Sequence, residues 1–150
     1  GENNANFMRH DIHIEANAQV ELIHWSTASD SSTGMVNIMT HMSVESGAVV
    51  ALDKVQDEAG SLQHLAFEQI NQAQSSQVRV HTGTIQGNWV RNDLNFRLNG
   101  EGCETVLNGF FLPQREEFAA NHTTATSRSA AAPRRHCVLT PYGHRHRDHE

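Results

Sequence analysis

With 150 residues, of which 37% are hydrophobic, the chain has the length of one ordinary domain and enough apolar material to bury a core. Residues 1–125 hold 6 Lys and Arg against 15 Asp and Glu, whereas 126–150 hold 5 against 2; an acidic body repels phosphate backbones and anionic surfaces, so neither nucleic acid nor a membrane is expected as a partner. Two cysteines, Cys103 and Cys137, are too few for a disulfide framework, and a chain opening on Gly1 without a charged-then-apolar leader is expected to be a cytoplasmic fragment.

The first segment, from Met8 to His24, reads as strand, small-residue turn and strand, with Ile14 and Leu22 flanking Ala16-Asn17-Ala18. Next, Val36, Ile38, Thr40, Met42 and Val44 alternate with other residues in the period of a strand that turns one face inward. Val44 and Leu52 then flank Ser46-Gly47-Ala48. From Ala51 to Phe67 the pattern is less clear: Lys54, Asp57 and Glu58 give a polar stretch that suits a long strand pair with an exposed edge. Ile70 and Val78 flank Ala73-Gln74-Ser75, the alternation returns in Val90, Asn92, Leu94, Phe96 and Leu98, and Leu98 and Leu107 flank Gly100-Glu101-Gly102.

These four strand–turn–strand units start at 14, 44, 70 and 98. Steps of 30, 26 and 28 residues mark a solenoid or propeller, in which each unit buries its apolar face only by stacking on the next. Strands without helices favour a parallel β-helix over an antiparallel sandwich with irregular strand spacing. Beyond about Thr126 the alternation stops, and Ser129 to Arg135 leads into a histidine-rich end. The expected organisation is a core over 1–125 and a disordered or unrelated tail over 126–150.

Several segments resemble the SufB/SufD family, and its SufD branch in particular. They are Met8 to His24; Lys54-Val55-Gln56; Arg91-Asn92-Asp93-Leu94-Asn95-Phe96-Arg97-Leu98-Asn99-Gly100-Glu101-Gly102; Leu107-Asn108-Gly109; and Asn121-His122-Thr123. The resemblance covers about residues 5–125 and implies an all-β, right-handed parallel β-helix, here incomplete. It also implies a non-enzymatic scaffold subunit of the SUF iron–sulfur cluster assembly complex, pairing with a SufB-like paralogue and served by a separate SufC-like ATPase. Thr124 to Glu150 departs from the pattern, and the later rungs and helical region to which the family's cluster chemistry and ATPase docking belong have no counterpart. No catalytic residue, no metal ligand and no cofactor of the chain itself is therefore assigned, and the iron–sulfur cluster belongs to the full complex. Because a solenoid cut before its last rungs exposes apolar ends, the chain is expected to be oligomeric or prone to aggregate.

Individual side chains add little chemistry at this level. A lone Cys103 in a turn reads as a packing residue, because an Fe–S cluster needs several thiolates. His122 reads as a turn histidine bonded to backbone. His10, His13, His24, His41, His64 and His81 read as mostly solvent-facing, with His10 and His13 on opposite faces. The terminal group His136, Cys137, His144, His146 and His149 has ligands for adventitious metal but neither the paired spacing nor the apolar support of a built site. The pairs Asp57-Glu58 and Glu116-Glu117 point to opposite faces of a strand, which weighs against a carbohydrate-active β-helix, the alternative function. Gly100-Glu101-Gly102 lacks the Lys-Ser/Thr end of a phosphate loop and reads as a turn.

Overall fold

The computed structural model describes residues 4–112, 118–127 and the strand backbone of 137–142. Eight strands follow one another: β1 (Asn4–Ile14), β2 (Gln19–Ala28), β3 (Thr33–Val44), β4 (Val49–Gln72), β5 (Gln77–Leu98), β6 (Glu104–Phe111), β7 (Phe118–Ser127) and β8 (Cys137–Tyr142). No helix occurs among the described residues. No proline precedes Pro113, so the body of the chain keeps every backbone N–H that a continuous ladder needs.

Every strand pair is parallel. One ladder stacks β1, β3, the second half of β4, the second half of β5, and β7. The other stacks β2, the first half of β4, the first half of β5, β6, and β8. Each ladder is five strands deep, so the chain winds through about four turns of a parallel β-solenoid, as the repeat predicts. One strand from each ladder makes a rung.

Tight turns join the two strands of each of the first four rungs, and they are stacked like the strands. Asn17, Gly47, Ser75 and Gly102 occupy the same left-handed position, with φ of 59°, 70°, 57° and 68°. The N–H groups of Asn17, Gly47 and Ser75 donate to Ser46 O, Gln74 O and Glu101 O of the next rung at 3.0, 3.0 and 2.8 Å. Glycine and asparagine tolerate that conformation best, which is why these short turns hold small and polar residues.

Beside the turns the interior is apolar. Met42, Val50, Ile70, Val80 and Phe96 lie in one buried cluster, each burial contributing roughly 1.5–3 kcal/mol. Phe96 and Leu98 face inward and share this cluster with Val78 and Val80, as the alternation requires.

Three expectations change. The third repeat is offset by two residues: Val44 pairs with Gln72, not Ile70, and Leu52 with Val80, not Val78. The ladder column is Ile14, Val44, Gln72, Leu98. Gln72 hides the register because it is polar yet fully buried, its amide satisfied by Glu104 O and the Thr105 hydroxyl. The ambiguous stretch 51–67 lies within the single strand β4, which serves both ladders and bends where its register with β5 shifts between Glu58 and Gln63. The strands also run past residue 125: β7 reaches Ser127, and β8 pairs with β6 from Cys137 to Tyr142.

Candidate functional site

Away from the tight turns, the inward positions become polar, and this half of the interior holds the chain's concentrated chemistry. Alternation puts Lys54, Gln56 and Glu58 on the inner face of β4's first half, and His64 and Glu68 on the inner face of its second half. All five are buried. Lys54 is the chain's sole lysine. A charge in such a place is costly unless it is paired.

The pairs are present. Lys54 Nζ lies 2.9 Å from Glu68 Oε1, though off the line of a hydrogen bond, so the ammonium protons lack an aligned acceptor among the described residues. His64 Nδ1 donates to Glu58 Oε1 at 2.9 Å, both side chains fully enclosed. Beside them, Gln56 Nε2 donates to Asn92 Oδ1 at 3.0 Å, while the Thr84 hydroxyl and Asn92 Nδ2 donate to Gln56 Oε1 at 2.7 and 3.0 Å. Asn92 Nδ2 also donates to Asn121 Oδ1 at 2.9 Å. A polar column thus runs along the axis from the second rung to the fifth.

The column continues into the first rung. His10 and His24 both turn inward and meet edge to face, with ring centroids 5.7 Å apart. Burial holds the His24 imidazole below its ordinary range, and the Lys54 charge lowers it further. A neutral His24 can accept or donate one hydrogen bond beside Ser26 Oγ at 3.4 Å.

The expectation that the strand histidines are mostly solvent-facing therefore fails for three of them: His64 is buried, and His10 and His24 line the interior. A polar residue at an inward position cannot be told from an outward one until the register is known. The phase of Lys54, Gln56 and Glu58 with Val50 and Leu52 was the available signal. His10 and His13 do lie on opposite faces, as do Asp57 and Glu58.

The outer histidines follow a rule of their own. Asp11 pairs in register with His41, Asp53 with His81, and Asp93 with His122, so each imidazole sits one rung above a carboxylate. The separations are 3.9, 3.0 and 3.8 Å. Arg9 and Arg91 clamp the first and third of these aspartates. His122 is thus a surface ladder residue facing Asp93. The hydrogen bond from Arg9 holds the Asp11 carboxyl below its ordinary range.

Cys103 lies half-buried in its turn, its thiol directed at Ala73 O (3.1 Å) and Gly100 O (3.2 Å). That geometry suits a packing residue. Gly100 to Gly102 form the turn expected of them. Among the described residues no group of three or more His, Cys, Asp or Glu could hold a metal ion. Of the terminal ligands, His136, His144, His146 and His149, like the acid pair Glu116-Glu117, lie outside the described residues; Cys137 begins β8.

A family model described as SUF system FeS cluster assembly, SufBD core domain, matches residues 1–133. The chain belongs to that SufBD core family. The match takes in β1 to β7 and both charged interior pairs of this SufBD core, and it extends past residue 125. No curated protein and no solved structure matches the chain significantly. Membership in an iron–sulfur assembly family leaves the carbohydrate-active alternative without support.

Proposed function

We propose that the chain is a SufD-like, non-catalytic scaffold subunit that pairs with a SufB-like paralogue in the cytoplasm and is served by a separate SufC-like ATPase, with the Fe–S cluster as cargo of the whole complex. The SufBD core match over residues 1–133 carries this reading. The SufD-like segment Arg91 to Gly102 supports the branch: it forms the fourth rung's first strand and turn, and Cys103, next to it, is turned into backbone carbonyls. Support for a protein partner comes from the outer faces. Phe7, Ile23 and Trp25 on the first rung are 71%, 76% and 66% exposed, and Phe110 and Leu112 are exposed on the fourth. Apolar side chains gathered on sheet faces that otherwise carry polar residues mark interaction surfaces.

Anaerobic reconstitution with iron and sulfide, read by visible absorption and metal analysis, tests the scaffold role. The chain alone is expected to hold no stoichiometric cluster and to hydrolyse no ATP, while a mixture with the SufB-like paralogue and the ATPase assembles one. A stable cluster on the chain alone, retained when residues 126–150 are deleted, would refute the proposal.

A further inference from the structure

The alternation that makes each strand amphipathic does not by itself say which residue stands above which. Side chains repeat their facing every two residues, so sliding a strand by two keeps every apolar side chain inward. The third rung shows the ambiguity. At the positions flanking the turn, a two-residue slip with Ile70 above Val44 and Val78 above Leu52 matches apolar to apolar at least as well as the native stack, in which Gln72 stands above Val44 and Val80 above Leu52. At these positions something other than hydrophobic pattern selects between them.

We propose that the buried polar pairs are a register lock, selecting the native stack of the second and third rungs against this two-residue slip. In the native register Glu68 stands above Thr40, which brings its carboxylate to Lys54 across the interior. In the slipped register Glu68 stands above Met42, displaced by roughly 6.6 Å along the strand into the apolar cluster. Lys54 is left without its counter-ion. The slip also parts His64 from Glu58, a bond of 2.9 Å that joins the same two rungs, whereas beside Gln56 it merely puts the Thr82 hydroxyl in the place of Thr84. The two charged pairs, Lys54–Glu68 and His64–Glu58, join residues whose relative position changes with register, and each leaves buried unpaired groups when it breaks. Apolar neighbours are interchangeable in a way these pairs are not, and a buried polar residue that fixes register at some expense in stability is the best-attested use of such groups. The turn contributes less: slipping brings Ala73 instead of Ser75 to the left-handed position, one non-glycine residue in place of another.

Paired cysteines on the outward face report the register. Ala51 stands beside Arg79 in the native stack and would stand beside Gln77 in the slipped one. The full chain is prepared as A51C/R79C and as A51C/Q77C, oxidised, and mapped by proteolysis and mass spectrometry, which separates the new disulfide from any link through Cys103 or Cys137. In the parent only the first pair is expected to cross-link. When Lys54→Met and Glu68→Leu are introduced together, the chain is expected to keep its strand circular dichroism while the second pair begins to cross-link. Adding Glu58→Leu and His64→Leu is expected to raise that slipped fraction at least tenfold. Folded variants that cross-link only the native pair would overturn the proposal. So would a failure of both variants to fold, because a lock of register alone leaves an apolar replacement able to fold.

Discussion

Phe96→Ala tests the interior most simply. The ring is 1% exposed, with Ile70 beside it in the rung before and Ala125 in the rung after. Replacing it removes six ring carbons from the apolar cluster, a transfer loss of about 3 kcal/mol when roughly 100 Å² of apolar surface is counted at about 25–30 cal/mol per Å². The cavity adds to this, because the backbone ladders hold neighbouring strands about 4.8 Å apart and the rungs cannot close over the gap. The expected loss is about 3–5 kcal/mol. Urea unfolding followed by far-UV circular dichroism measures it, with Phe67→Ala as the comparison: Phe67 is 40% exposed on the outward face and is expected to lose less than about 1 kcal/mol. A Phe96→Ala loss below about 1 kcal/mol, or one equal to that of Phe67→Ala, would place the ring in solvent and refute the inward assignment of β5.

Other outcomes follow from the polar half of the interior. Lys54→Ala alone leaves the Glu68 carboxylate buried and unpaired and is expected to destabilise by about 3–5 kcal/mol, whereas Lys54→Met with Glu68→Leu is expected to stay within about 1 kcal/mol of the parent in the same urea assay. Because burial and the Lys54 charge hold folded His24 below its ordinary range, the unfolded chain takes up that proton first. The stability contributed by neutral His24 is therefore complete above about pH 6.5 and declines as pH falls through that value towards the lower folded one, a slope that His24→Gln should flatten in unfolding curves from about pH 7 to 5. In Gly100→Ala the new Cβ would meet the backbone of Gln74 in the turn of the preceding rung, so a fall in melting temperature is expected, larger than that of an exposed alanine substitution on β5 such as Arg79→Ala.

The sequence carried the solenoid well and its interior poorly, and one physical cause accounts for both. Val36 to Val44 and Val90 to Leu98 were legible as strands because their inward residues are mostly apolar and their neighbours mostly polar. The same criterion passes over Gln72 and shifts the third repeat by two residues, since Ile70 and Val78 offer an equally apolar alignment. It also made 51–67 look ill-defined. There Lys54, Gln56, Glu58, His64 and Glu68 hold inward positions that pattern reading reserves for hydrophobic residues, and their partners lie up to 36 residues away in sequence. Paired burial of this kind becomes visible only when the rungs are stacked. The turn at Gly100 to Gly102 is legible because its signal is local, and Cys103 lies half-buried beside it.

Native mass spectrometry of the chain co-expressed with a SufB-like paralogue bears most directly on the assignment as a SufD-like scaffold subunit. The expected result is a one-to-one complex that persists in buffer, that gains the ATPase when it is added, and that is weakened by Ile23→Glu with Trp25→Glu on the exposed face of the first rung. A chain that forms only homo-oligomers in the presence of an excess of the paralogue would contradict the assignment.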